Sequence, residues 1–273
     1  MSIKDMINAY IEVGYDYDDA ISKVSQDIIL IKIANSKFAR NITIKGGVVM
    51  HSISNDIRRS TRDLDLDFIK YSLEDDSIKK FIDVLNATDD DIRIRVSEII
   101  KPLHHQDYDG KRISLIISDI NNYQIHAKLD IGVHKQFDID QEEYCFNLET
   151  IKQSVNLLIN SKEQIFTEKL KSLLKIGPRS TRYKDIFDFY YLTNMTKLDK
   201  KKLLNCINIL IINDSTMREK TVQDICDRLN KILFSENYKN NLTGPKVNWL
   251  DMPINEAIEN VLEYLRNIQK SNY

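Results

Sequence analysis

Hydrophobic and polar positions change period along this chain, and the changes mark its elements. Over residues 3–38, apolar residues recur at helical spacing. Ile7, Tyr10 and Ile11 precede Gly14-Tyr15-Asp16, and Ile21, Val24, Ile28, Ile31 and Ala34 follow it, which predicts two helices. Ile42-Thr43-Ile44 is a short β-branched run, read as a strand that ends at Gly46-Gly47, with a short helix over 48–54. The period then falls to two. As a strand, Asp63-Leu64-Asp65-Leu66-Asp67-Phe68 sets three aspartates on one face and Leu64, Leu66 and Phe68 on the other. Residues 72–85 predict a helix with Ser72 as N-cap and Glu74, Asp75 and Asp76 in its first turn. Alternation returns over 92–100, over 111–120 after the Asp109-Gly110 turn, and over 123–133. In the last of these Ile125, Ala127, Leu129 and Ile131 oppose His126, Lys128 and Asp130.

Strand signals stop near Thr150, and from Ser161 onward the pattern is helical. Ser161 with Gln164 fits a capping box ahead of Phe166, Leu170, Leu173 and Leu174, and Gly177-Pro178 stops that helix. A helix carrying Asp185, Phe187, Asp188, Tyr190 and Tyr191 comes next, then three more from Lys200, over 218–234 and over 254–268. The expected fold is α/β (α+β). It has an N-terminal domain with a mixed sheet and flanking helices (1–150) and a C-terminal helical bundle (151–273).

Composition narrows this further. A hydrophobic share of 42% in 273 residues supports real cores, and only 7 glycines and 4 prolines favour helices over loop-rich sheet. The formal net charge of −2 gives no global basic bias towards nucleic acid. Cys145, Cys206 and Cys226 lie far apart, which indicates neither a zinc site nor a disulfide framework. His104-His105, the one histidine cluster, has no thiol nearby and reads as structural or solvent-facing. The N-terminus lacks the apolar core of a leader and no segment reaches membrane-spanning length, so the cytoplasm is the expected location and no membrane partner is expected.

The chemistry gathers around the aspartate row. Same-face neighbours on a strand lie roughly 7 Å apart, and like charges that close oppose each other's ionisation. Such a row is either solvated or faced by a cation. A lone acidic alternation reads as a solvated face. Gly46-Gly47 between a strand and a helix shifts that reading, because glycine lets backbone approach a phosphate and a helix start offers free N–H groups. Carboxylates two apart can hold Mg²⁺ ions that bridge a triphosphate.

Lys45-Gly46-Gly47, Arg59-Ser60-Thr61-Arg62-Asp63-Leu64-Asp65, Lys128-Leu129-Asp130-Ile131, Thr167-Glu168-Lys169-Leu170 and Arg182-Tyr183-Lys184-Asp185-Ile186-Phe187-Asp188 together resemble the nucleotidyltransferases of the polymerase-β-like superfamily. Within it the chain is most similar to the AbiEii/AbiGii toxin-type members of bacterial toxin–antitoxin and abortive-infection systems. Gly-Gly in place of Gly-Ser, with a longer gap to the acidic pair, fits that branch better than the poly(A)- or CCA-adding ones.

The resemblance implies transfer of NMP from an NTP to an acceptor hydroxyl, with pyrophosphate leaving. RNA, notably the tRNA 3′ end, is the implied acceptor, Mg²⁺ (or Mn²⁺) the cofactor, and a cognate antitoxin the partner, with Mg-NTP in a cleft between the two domains. It makes Asp63, Asp65 and Asp130 metal ligands and Asp130 an acceptor for the attacking hydroxyl's proton. Gly46, Gly47, Arg59, Thr61 and Lys169 become nucleotide contacts, and Lys169, Asp185 and Asp188 catalytic. From the residues alone, several alternatives stay open. Asp130 also reads as an exposed strand position, Lys169 as a solvated helical lysine, and Thr61 as the end of a loop. Asp67 reads as a support or as solvent-facing, and Asp185 and Asp188 are not separated in role. At the level of the whole chain, the rivals are a nucleotide-binding regulatory module without turnover and transfer to a protein acceptor.

Overall fold

The computed structural model describes residues 2–270 except 88–90, 104–109 and 137. The chain divides into two compact units, Met1–Asn160 and Ser161–Tyr273. Among the described residues no helix is long and apolar enough to cross a membrane. His104-His105 and Asp109 lie outside the described residues.

In the first unit, α1 (Ile3–Glu12) starts from a Ser2–Asp5 capping box and α2 (Tyr17–Ala34) from an Asp16 cap. There follow β1 (Ile42–Lys45), α3 (Gly46–Ser54), β2 (Leu64–Phe68), α4 (Asp75–Leu85), β3 (Arg93–Val96) and β4 (Lys101–Leu103). β5 (Gly110–Ser118), β6 (Gln124–Val133), β7 (Glu142–Leu148) and β8 (Gln153–Ile159) complete the unit. One sheet has the order β3-β5-β6-β2-β1-β8-β7, with β4 also on β5. β2–β6 and β1–β8 are parallel and the other pairs antiparallel. The strands therefore do not stop near Thr150, because β8 brings the chain back beside β1. α4 opens at Asp75 with Glu74 as N-cap, not at Ser72, whose hydroxyl instead accepts from the Glu74 N–H at 3.1 Å.

The apolar face of the sheet is the one the alternation predicts. Ile42, Ile44, Leu64, Leu66, Phe68, Ile113, Leu115, Ile117, Leu129 and Ile131 are all buried. Phe68 meets Phe81 of α4 and Tyr71 edge-on, and Phe38 meets Phe81 and Tyr71 likewise, with ring centroids 4.9–5.5 Å apart. The opposite face carries most of the polar side chains, with Ile116 and Leu158 among them.

His51 anchors α3. Its Nδ1 lies 3.1 Å from the Asp56 carbonyl and its Nε2 2.8 Å from the Tyr15 hydroxyl. A carbonyl only accepts, so Nδ1 carries the proton, and in the neutral ring Nε2 accepts from Tyr15. Burial first, then the charge of Lys23, pushes the imidazole pKa down to about 4.

In the second unit, α5 (Lys162–Ile176) is followed by α6 (Asp185–Tyr190), α7 (Lys200–Ile207), α8 (Val222–Leu233), the short α9 (Glu236–Lys239) and α10 (Ile254–Lys270). The Ser161 hydroxyl accepts from the Gln164 N–H at 3.2 Å, as predicted. The Gln164 side chain donates to Glu168 instead of turning back, so half of the capping box is unmade. α5 ends at Gly177, whose φ of +70° suits glycine.

The His51 arrangement predicts a pH dependence. The unfolded imidazole protonates near 6.5 and the folded one near 4, so the unfolded state binds more protons in between. The stability contributed by neutral His51 is complete above about 6.5 and is lost as pH falls towards 4, a change of about 3 kcal/mol. Denaturation between pH 4 and 7 should show this slope in the parent and a flatter one in His51→Gln. Equal slopes would discount His51.

Candidate functional site

The site is built on cross-strand register. Lys45 of β1 pairs Asp65 of β2, Asp65 pairs Asp130 of β6, and Asp130 pairs Arg112 of β5. Four charged residues thus stand in one row across the polar face, roughly 4.8 Å per strand. Arg112 grips Asp130 with both arms, Nε to Oδ1 at 2.8 Å and Nη2 to Oδ2 at 2.7 Å, and its Nη2 lies 3.5 Å from Asp63. The hydrogen bonds to Asp130 raise the guanidinium pKa further above its ordinary value, so the charge is permanent.

At the other end the Lys45 ammonium lies 2.7 Å from Asp67 Oδ1, with both side chains buried. Oδ1 makes no directed hydrogen bond among the described residues, so this is a charge contact with poor angles rather than a well-formed bridge. Asp67 is 5% exposed, which corrects its solvent-facing reading. His134, also buried, feels both charges, and burial keeps its pKa below the usual imidazole range.

Gly46 and Gly47 are required by what lies above them. A Cβ on Gly46 would stand 2.5 Å from Asp65 Oδ2, and the residue has φ +69°. A Cβ on Gly47 would stand 2.5 Å from Thr61 Oγ1. The backbone of the turn therefore touches the Asp65 carboxylate and the Thr61 hydroxyl directly. Thr61 lies before β2 in irregular chain, and its carbonyl accepts from Gln26 at 2.8 Å. α3 begins at this turn without a side-chain cap, so its first N–H groups are not taken up by its N-cap residue. Arg59 is 4% exposed, and its charge reaches inward to His51.

Among the described residues no group of three or more His, Cys, Asp or Glu side chains forms a metal site. Arg112 holds Asp130 and lies near Asp63, and Asp65 stands between Lys45 and Asp130 in the register. The donor set still fits Mg²⁺, which takes one or two carboxylates plus substrate phosphates rather than a full protein cage. The close approach of Gly46 to Asp65 Oδ2 leaves no side chain between that oxygen and the turn.

In the second unit Lys169, Asp185 and Asp188 come together. The ammonium lies 2.6 Å from Asp185 Oδ1 and 2.9 Å from Asp188 Oδ2, with all three side chains buried. Arg182 Nε reaches the other oxygen of Asp185 at 2.9 Å. Lys169 is thus no solvated helical lysine, and both aspartates hold it.

Sequence reasoning quoted Lys45 in the Lys45-Gly46-Gly47 motif without giving it a role, and did not single out Arg112 and His134. Arg112 and His134 fall on or beside predicted strands, but their partners are set by register, which alternation does not specify.

Two outcomes follow. Lys169→Ala leaves two buried carboxylates without their shared cation, so the second unit should lose about 3–5 kcal/mol in denaturation; NTP affinity measured alongside reports whether Lys169 also meets phosphate. Gly46→Ala should cost at least the 1–2 kcal/mol of a left-handed residue and displace Asp65; an unaltered melting curve would show that the turn relaxes freely.

The family model described as the nucleotidyl transferase AbiEii toxin of type IV toxin–antitoxin systems matches residues 28–260. A solved structure of an antigenic nucleotidyltransferase-like protein from Paracoccidioides brasiliensis aligns over 83% of this chain and 96% of its own. Its identity is 17% and its TM-score 0.39. No curated protein matches the chain significantly. With the match running through both the glycine–aspartate site and the Lys169 cluster, this chain belongs to the AbiEii nucleotidyltransferase toxins of type IV toxin–antitoxin systems.

Proposed function

We propose that this transferase moves a nucleoside monophosphate from an NTP to a hydroxyl of RNA, the tRNA 3′ end in particular, with pyrophosphate leaving and a cognate antitoxin as its regulator. The observation that carries this reading is the charged row with Asp65 held against the Gly46-Gly47 turn. Asp63 and Asp65 would hold Mg²⁺ together with phosphate oxygens. When bound, the ion supplies charge neutralisation at the phosphoryl group. The remaining roles fall to the chain itself. Gly46 and Gly47 let the triphosphate lie against backbone, where the start of α3 offers N–H groups and the positive end of its dipole. Asp130 has about four acceptor sites, of which Arg112 uses two. Arg112 fixes the orientation of Asp130, and a remaining lone pair would take the proton of the attacking hydroxyl. Thr61, over Gly47, borders the phosphate position.

Incubation with each labelled NTP, Mg²⁺ and total RNA tests the reading. Label from one NTP should appear on RNA; label on protein alone, or on nothing, overturns it. Asp65→Asn should abolish transfer and leave the fold intact, since it removes one charge from a repelling cluster; a folded variant with full activity would sink the assignment. Thr61→Glu should weaken Mg-NTP binding by charge while Thr61→Ser stays active. Ser60→Glu is the contrast. Ser60 is buried and donates to Asp19 at 2.9 Å, so this variant should act by lowering stability. Parent-like Mg-NTP affinity in Thr61→Glu would place the hydroxyl outside the site.

A further inference from the structure

The charged row does not end at Arg112. Lys101 of β4 pairs with Arg112, which adds a second cation to that side. Along β5 and β6 the same face continues away from Asp130 in two-residue steps of roughly 7 Å. Lys128 stands opposite Ser114, His126 opposite Ile116 and Gln124 opposite Ser118. On the far side of β5, Arg95 pairs Ile116 and Arg93 pairs Ser118. The alternate residues Ile94, Leu115, Ile117, Ile125 and Leu129 are buried on the opposite face. Arg93, Arg95, Lys101, His126 and Lys128 are all exposed. Glu98 lies 2.9 Å from Lys101, and its pKa is lowered chiefly by the hydrogen bond from Lys101, with smaller contributions from His126 and Lys128.

The chain as a whole has a net charge of −2. The cationic face is thus a matter of placement, not of composition. Positive side chains in a file on one sheet face, here around Ile116, are the electrostatic footprint of a polyanion. The file abuts the carboxylate site through the shared residue pair Arg112–Asp130, so an extended phosphate backbone lying on it would have its end beside Asp130.

We propose that the exposed face of β3, β5 and β6, marked by Arg95, Lys101, His126 and Lys128, is the docking surface for a single-stranded RNA acceptor, which it holds by its phosphates and delivers end-on to the aspartates. The inference rests on the proposed transfer to RNA and adds the surface that selects it. Phosphate contacts of this kind fix position without reading sequence.

The test uses the full chain and a fluorescein-labelled RNA of about 12 nucleotides without secondary structure, with anisotropy read across a salt series. In Arg95→Glu/Lys128→Glu, Kd should rise at least tenfold. Its log–log salt slope should shrink by about 1.4, the share of two phosphate contacts on a single strand. Arg95→Gln/Lys128→Gln should fall between this variant and the parent. Lys79→Glu/Lys80→Glu, on α4 and equal in charge change, should bind as the parent does. Mg-NTP affinity, measured in every variant, should stay at the parent value and certifies the fold. RNA binding unchanged in both Arg95/Lys128 variants overturns the proposal, as does an equal loss in the Lys79/Lys80 control. A parent that binds Mg-NTP but not RNA overturns it while sparing the nucleotide site. A parent that binds RNA through this face without Mg-NTP binding supports the surface and counts against the transfer reading alone.

Discussion

Everything in the first unit turns on one alignment, that of Lys45, Asp65, Asp130 and Arg112 in successive strands. Two carboxylates side by side on a sheet repel, and each would favour the other's protonation. The row is stable because each end is closed by a fixed cation, Arg112 on Asp130 and Lys45 on Asp67. An acidic row on a strand needs solvent or a cation, and here the protein's own side chains supply the cations. A slip of one residue between β2 and β6 would set Leu129 or Ile131 against Asp65 and turn Phe68 away from Phe81. The aromatic cluster on one face and the ion row on the other therefore enforce the same register.

The glycines depend on that register too. β1 delivers Gly46 to the Asp65 carboxylate only because Ile44 pairs with Leu66 and Lys45 with Asp65. The left-handed backbone at Gly46 and the near contact at Gly47 leave no room for a side chain. The second unit solves a similar problem in a different way. There a single lysine bridges two buried aspartates one helical turn apart, and Arg182 supports one of them. Buried charges of this kind contribute little net stability, but their partners become indispensable. Both clusters thus set cations directly against buried carboxylates.

Much of this was legible in the sequence. Alternation identified β2, β5 and β6 and their polar faces, and the Ser161 cap and the Gly177 stop bounded α5. What escaped follows from non-local pairing. β7 opens on two glutamates and β8 on Gln-Ser, and β8 is placed by a parallel partner, β1, far away in sequence. β4 is three residues with a proline, tolerated because it sits at the margin of β5. Arg112 reads as one more exposed cation on a strand until the β5–β6 register sets it opposite Asp130. Asp67 reads as the outermost member of an acidic row, and only the fold shows it enclosed with Lys45.

The two cations that close the row are also not interchangeable. Arg112 must satisfy both oxygens of one carboxylate while remaining near a second, which a planar fork with five donors allows and an ammonium does not. It also stands at the junction between an acidic and a basic stretch of the same face, where a group that lost its proton would leave Asp130 buried and uncompensated. A guanidinium does not lose it. Lys45 serves a different geometry. It reaches diagonally from its register partner Asp65 to Asp67, which requires a long flexible stem and a point charge, and tolerates the poor angle found there. Exchange of the two would leave the net charge unchanged and both ends of the row badly closed, so the site is specified by donor geometry as well as by charge.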